Sequence, residues 1–167
     1  MVRILLLSLV LFIPGEAYAQ TSSTATDLEL SAAYCLGYAS SARASLAQSA
    51  AASGVGEEAP EWFEKELRRE FAPLDQSIGR FEEFLKSKGY GPGQRASAPI
   101  LLAKKRGAED FAACSRAVEA CIGNCSKQCD GRTDAQCMTC SKSCMPADSP
   151  ACGGEKRCEQ VEKSLAF

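Results

Sequence analysis

Ten cysteines and no histidine set the chemistry open to this chain of 167 residues. Cys121, Cys125 and Cys129 recur at i, i+4, i+8, and Cys137, Cys140 and Cys144 at i, i+3, i+7. Either spacing lines three sulfurs along one helix face. Sulfur at that density can close disulfides, hold a soft metal as thiolates, or exchange electrons through the Cys137-Met138-Thr139-Cys140 pair. A redox-active pair of the thioredoxin kind needs a βαβ setting, and the sequence shows none, so a structural bridge is expected there. The missing histidine excludes Ser-His-Asp and Cys-His nucleophile systems within the chain, and His-ligated zinc or haem as well. Cys137 and Cys140 could form half of a four-cysteine zinc site, but no second pair stands at matching spacing.

A short turn separates the two cysteine sets, so the helices that carry them must fold back as an antiparallel hairpin. Pairing from the outside inward gives Cys121–Cys144, Cys125–Cys140 and Cys129–Cys137, whose position numbers add to nearly the same total, as antiparallel neighbours require. Bonds between the arms are favoured over bonds within one. Helical neighbours at i, i+4 hold their Cβ atoms about 5–6 Å apart, whereas a disulfide wants about 3.5–4.5 Å. Cys35, Cys114, Cys152 and Cys158 remain. The expected pairing is Cys35–Cys114, tying the first helix to the third, with Cys152–Cys158 closing a local loop. The alternative extends the ladder to Cys114–Cys152 and leaves Cys35 to meet Cys158.

The hairpin from Cys121 to Cys144 resembles the twin Cys-x-x-x-Cys helical hairpins of mitochondrial intermembrane-space proteins, such as the small chaperones of carrier import. The likeness is one of hairpin design. This chain has a third cysteine on each arm, a Cys-x-x-Cys, and a very short inter-arm loop, and the resemblance implies the disulfide architecture only. The same helical Cys-x-x-x-Cys spacing is similar to that of the bacterial copper-storage proteins, four-helix bundles lined by cysteines. That likeness implies a rival use: copper(I), a soft ion, held by thiolates of Cys114, Cys121, Cys125, Cys129, Cys137, Cys140 and Cys144, with Met138 and Met145 as auxiliary ligands. Thiols exported by the general route tend to end as disulfides, so the structural use is expected, with no cofactor and no metal.

Helices must position these sulfurs. Thr26 followed by Glu29 is a capping box opening an alanine- and leucine-rich helix to about Ala52, with Leu28, Cys35, Tyr38, Ala39, Ala42 and Leu46 near one face. Residues 51–59, with two glycines, read as a loop. Pro60 suits a helix start. Phe63, Leu67, Phe71, Leu74, Ile78, Phe81 and Leu85 then step by three or four, the strongest helical signal in the chain. Pro73 lies inside it and predicts a kink or break near Arg69 to Ala72. Residues 89–93 end that helix in a turn-rich linker. Ser97 and Pro99 open a third helix carrying Leu102, Phe111, Cys114, Val118, Cys121, Cys125 and Cys129. Asp130-Gly131 is a stop signal. Thr133 and Gln136 form a second capping box opening a short fourth helix. Pro146 and Pro150 bound an irregular stretch, and a last helix is expected from Glu155 to Leu165. No period-2 alternation appears.

The first nineteen residues read as a cleaved secretory signal peptide: Arg3, the apolar run Ile4 to Ile13, the breakers Pro14 and Gly15, then Ala17-Tyr18-Ala19 before the cut. The run is too short for a bilayer, which needs about 20 apolar residues. The remaining 148 residues suit one domain, and the even cysteine count behind such a leader reads as a disulfide framework. A net charge of −2 offers no long-range pull on phosphate backbones or anionic lipid, so nucleic acid and membrane surfaces are not expected partners.

Other signals have plainer readings. Glu57, Glu58, Glu61, Glu64 and Glu66 cluster at a helix start, where negative charge offsets the dipole. The stripe of Phe63, Phe71 and Phe81 reads as core, with Trp62 beside it and partly exposed. Asn124-Cys125-Ser126 matches a glycosylation sequon but falls within the ladder helix. The expectation is an all-α bundle of four or five helices with a disulfide-stapled antiparallel hairpin near the C-terminus. The part over 20–96 packs with the cysteine-rich part over 97–167 as one domain. The protein is expected to be exported, periplasmic or extracellular, and to act as a non-enzymatic binding or structural module for a protein partner that the residues do not name, in an oligomeric state they do not fix.

Overall fold

The structure, a computed structural model, describes residues 24–52, 61–94, 97–129, 135–144 and 152–165, without the side chains of 61–64, 135 and 136. The chain is all-α. The described residues form five helices, α1 (Asp27–Ala52), α2 (Glu61–Ser87), α3 (Ala98–Cys129), α4 (Ala135–Ser143) and α5 (Gly154–Ser164). The leader, the Asp130-Gly131 stop, the capping box at Thr133, the prolines at 146 and 150, Trp62 and most of the acidic cluster lie outside the described residues and side chains.

The capping box opens α1: the Thr26 amide donates to Glu29 Oε2 at 2.8 Å, and the Glu29 amide to Thr26 Oγ1 at 3.3 Å. This reciprocal pair satisfies two amides that a helix start would otherwise leave open. α2 ends in a Schellman turn. Gly89, at φ 87°, lets its own amide reach the Lys86 carbonyl at 3.0 Å and the Tyr90 amide reach Leu85 at 2.9 Å. Only glycine takes that left-handed backbone without strain. Of the kink or break expected near Pro73, no break occurs; α2 runs through the proline. Pro73 is exposed, so the carbonyl freed by its missing N–H lies near solvent, where water can satisfy it.

α1 is the central helix. It packs against α3 over the longest stretch, then against α2 and α5. Residues 32 to 39 are buried without interruption, which corrects the reading of α1 as a one-faced amphipathic helix, and Leu28, assigned to the inner face, is exposed. A helix enclosed on several sides needs no polar face. Small residues allow the enclosure. A Cβ on Gly37 would collide with the Lys104 carbonyl, and one on Gly107 with the Tyr34 carbonyl, so the α1 and α3 backbones touch. Ala33 and Ala103 stand one turn before each glycine and keep the approach close.

Against α1 the α2 stripe buries progressively. Leu67, Phe71, Leu74 and Ile78 are half-buried, whereas Phe81, Phe84 and Leu85 are fully buried. Burying one such side chain contributes about 1.5–3 kcal/mol. On α3, Ile100 joins the buried Gly107 and Cys114 on the inner side, whereas Leu102, expected inside, is 66% exposed. The core joins Ile100 and the buried α2 residues to Ala32, Ala33, Leu36 and Leu165.

Beyond Cys114 the outer half of α3 leaves the bundle and carries α4 back along it. From residue 115 to residue 144 the only buried side chains among the described residues are Cys125, Cys129 and Cys144. No helix among the described residues is long and apolar enough to cross a membrane.

Candidate functional site

All ten cysteines are paired. The arm holds three rungs, Cys121–Cys144, Cys125–Cys140 and Cys129–Cys137, with Cα separations of 5.6, 5.8 and 5.6 Å. The near-equal spacing follows from two helices lying side by side with one sulfur per turn facing across. The expected pairs Cys35–Cys114 and Cys152–Cys158 are not formed. Cys114 joins Cys152 across 4.8 Å, and Cys35 joins Cys158 across 5.3 Å. The physical reason is α5. It packs against α1, which brings Cys158 to Cys35 and leaves Cys152, just ahead of the helix, beside Cys114. Cys114, one heptad before Cys121, instead meets the returning chain as a fourth rung. Cys35, on the buried part of α1, meets the helix that covers it. The five bridges are fully nested.

The sulfurs of Cys121, Cys125 and Cys144 lie within 4.8 Å of one another, and Cys125 Sγ stands 3.7 Å from Cys144 Sγ. Two of the three share a bond and the third is bonded to Cys140, so none is a thiolate while the bridges stand.

A different feature offers a site. A cleft of about 350 Å³ opens between α1, α2, α3 and α5. Its walls are mostly apolar: Tyr38, Ala39 and Ala42 from α1, Pro73, Leu74 and Phe81 from α2, and Phe111 from α3. The short side chains of Ala39 and Ala42 leave the space. The Tyr38 and Phe111 rings meet edge to face at 5.4 Å between centroids, a favourable aromatic geometry that fixes one end. Cys114 and Cys158 also line it, so the two outermost bridges cross-link its wall.

Polar groups gather at one edge. Glu155, Glu159 and Glu162 of α5 line the cleft, with Ser77 opposite. Ser77 Oγ donates to Glu162 Oε2 at 3.2 Å, and Arg80 pairs with Glu162 Oε1 at 2.8 Å. Lys163 pairs with Glu159 at 2.7 Å, which holds that carboxyl below its usual range. Beneath α5, Tyr34 donates to Asp110 Oδ2 at 2.9 Å while the Arg157 guanidinium lies 4.3 Å from its ring. Burial, then the bond to Asp110, push the Tyr34 phenol up to about 12. The Tyr38 phenol is also raised, by burial and then by Glu155 and Asp110.

None of the three glutamates was singled out from sequence. The available signal was their spacing at i, i+4, i+7 on the expected last helix. Phe81 and Cys114 were read as core and framework, and both turn out to face the cleft. No family model matches the chain, and no curated protein or solved structure is significantly similar to it.

Proposed function

We propose that the protein is an exported, non-enzymatic helical module that binds its ligand in the cleft between α1, α2, α3 and α5. The observation that carries this reading is the cleft: about 350 Å³, mostly apolar, with a few convergent polar groups, the usual make-up of a small-ligand pocket. Its wall is tied by Cys35–Cys158 and Cys114–Cys152, so the shape is held before any ligand arrives, which lowers the ordering cost of binding. Five disulfides and the leader-like N-terminus support an oxidising, extracytoplasmic compartment. Support for a non-enzymatic role comes from Ser77. Among the described residues the carboxylate bonded to it, Glu162, is also held in an ion pair with Arg80, so it is engaged rather than free to take the Ser77 proton. The test is titration of the disulfide-intact protein with the neutral apolar fluorophore N-phenyl-1-naphthylamine. Saturable one-to-one binding is expected, lost in the filled variant Ala42→Phe. Absence of saturable binding, or its persistence in the filled variant, contradicts the reading.

A second reading draws on the sulfur triad of Cys121, Cys125 and Cys144. In a reduced chain these would be thiolates close enough to chelate copper(I) together, with the remaining ladder cysteines adding capacity.

A further inference from the structure

Resting on the cleft as the binding site, we infer that its ligand is a small amphipathic cation, an apolar body carrying an ammonium head. Every ionisable acid or base lining the cleft apart from the Tyr38 phenol is a carboxylate, and none is basic. Glu155, Glu159 and Glu162 fall on one face of α5 at i, i+4, i+7, so the negative charge forms a row along one edge while the body of the cleft is hydrocarbon. Two of the three are already answered, Glu162 by Arg80 and Glu159 by Lys163. Glu155 has no ion-pair partner among the described residues, and it stands at the Tyr38 end of the cleft, where its charge is felt by the Tyr38 phenol. Tyr38 and Phe111 line that same end, and aromatic rings attract a cation lying near them.

The geometry favours one occupant over others. An anion with an apolar tail would bring its charge against three carboxylates and find no donor side chain of positive charge in the lining. A neutral apolar molecule would fill the body but gain nothing from the row. The volume stands at the small end of ligand pockets, fit for one compact molecule and not for an extended peptide. Each electrostatic gain is small because Glu155 and Glu159 are exposed, and exposed ion pairs contribute little. Together with the rings they give a preference for cation over neutral body of about tenfold.

Calorimetric titration of the disulfide-intact full chain with octyltrimethylammonium, 1-octanol and octyl sulfate separates these cases. The ammonium is expected to bind about tenfold more tightly than the alcohol, and the sulfate most weakly, with the gap narrowing as salt is raised. Glu155→Gln is expected to weaken the ammonium about two- to fivefold and leave the alcohol unchanged, and Glu155→Asp to recover part of the loss. Equal affinity for ammonium and alcohol overturns the charge inference while leaving the cleft as a binding site. Saturable binding of none of the three overturns both. A Glu155→Gln variant that loses alcohol and ammonium alike shows a structural role for Glu155 and also overturns the inference.

Discussion

The bundle and the arm are held together by different forces. In the bundle, α1 is enclosed by α2, α3 and α5, with eight consecutive residues out of water and Phe81 only 1% exposed. In the arm, α4 lies on the outer half of α3, and among the described residues the only buried side chains there are cysteines. Apolar area removed from water organises the first; covalent sulfur organises the second. The comparison teaches where each kind of linkage is needed. A helix of 26 residues with neighbours on several sides holds its place by packing. A helix of 9 residues is below the roughly 12–15 that an isolated helix needs even in favourable sequences, and must be tied.

The sharpest way to break the comparison is to remove the ladder and leave the bundle. Replacing Cys121, Cys125, Cys129, Cys137, Cys140 and Cys144 by serine is expected to melt α4 completely while α1, α2 and α5 keep their amide protection, read by hydrogen exchange. Protection retained in α4 would show that packing, not sulfur, holds the arm. The converse change, Phe81→Ala, cuts the bundle and is expected to cost about 3–5 kcal/mol in denaturant unfolding, with the ladder bridges still closed. A cost near zero would mean that the bundle too relies on its cross-links.

The outermost bridge belongs to both regimes. Cys35–Cys158 spans 123 positions and ties the buried helix to α5. Its removal as Cys35→Ser with Cys158→Ser is expected to cost about 2–4 kcal/mol, less than its span suggests because the inner bridges already shorten the loop it closes. Removal of Cys129–Cys137, with a span of 8, is expected to cost least of the five. Equal costs would contradict the nested scheme.

The smallest effect is on pH dependence. The folded Tyr34 phenol titrates at about 12 against an ordinary 10.0. A proton held more tightly in the folded state stabilises it fully below about pH 10, and that contribution is lost as pH rises toward 12. Tyr34→Phe is therefore expected to flatten the alkaline fall in the guanidinium midpoint over that window. An unchanged slope would show that the folded state does not hold the Tyr34 proton more tightly than the unfolded chain does.

How much of this was legible in the residues follows the same division. The ladder could be read because a helix repeats every 3.6 residues and sulfur leaves few partners, so six cysteines on two facing arms fix one another. The capping box at Thr26 and the stripe ending at Leu85 are equally local, and both are in the structure. What depended on docking was hidden. α1 is rich in alanine, which marks no face, so its enclosure left no periodic trace. The small residues at i, i+4, Ala33 with Gly37 and Ala103 with Gly107, were the one local hint that two backbones would touch. Pro73 suggested a break because local chemistry allows one; packing of the stripe on either side keeps α2 whole. The partners of Cys35 and Cys114 turned on where α5 lies, and the cleft draws on four helices, so neither could be seen along one segment.

The claim beneath all of this is that the ten sulfurs form five nested bonds. Peptide mapping of the unreduced protein, together with its intact mass before and after reduction, tests it most directly. The expected result is a gain of ten hydrogens on reduction and five linked peptide pairs, Cys35–Cys158, Cys114–Cys152, Cys121–Cys144, Cys125–Cys140 and Cys129–Cys137. Alkylation of most cysteines in the unreduced protein, with uptake of several copper(I) ions, would contradict it and leave the thiolate reading in its place.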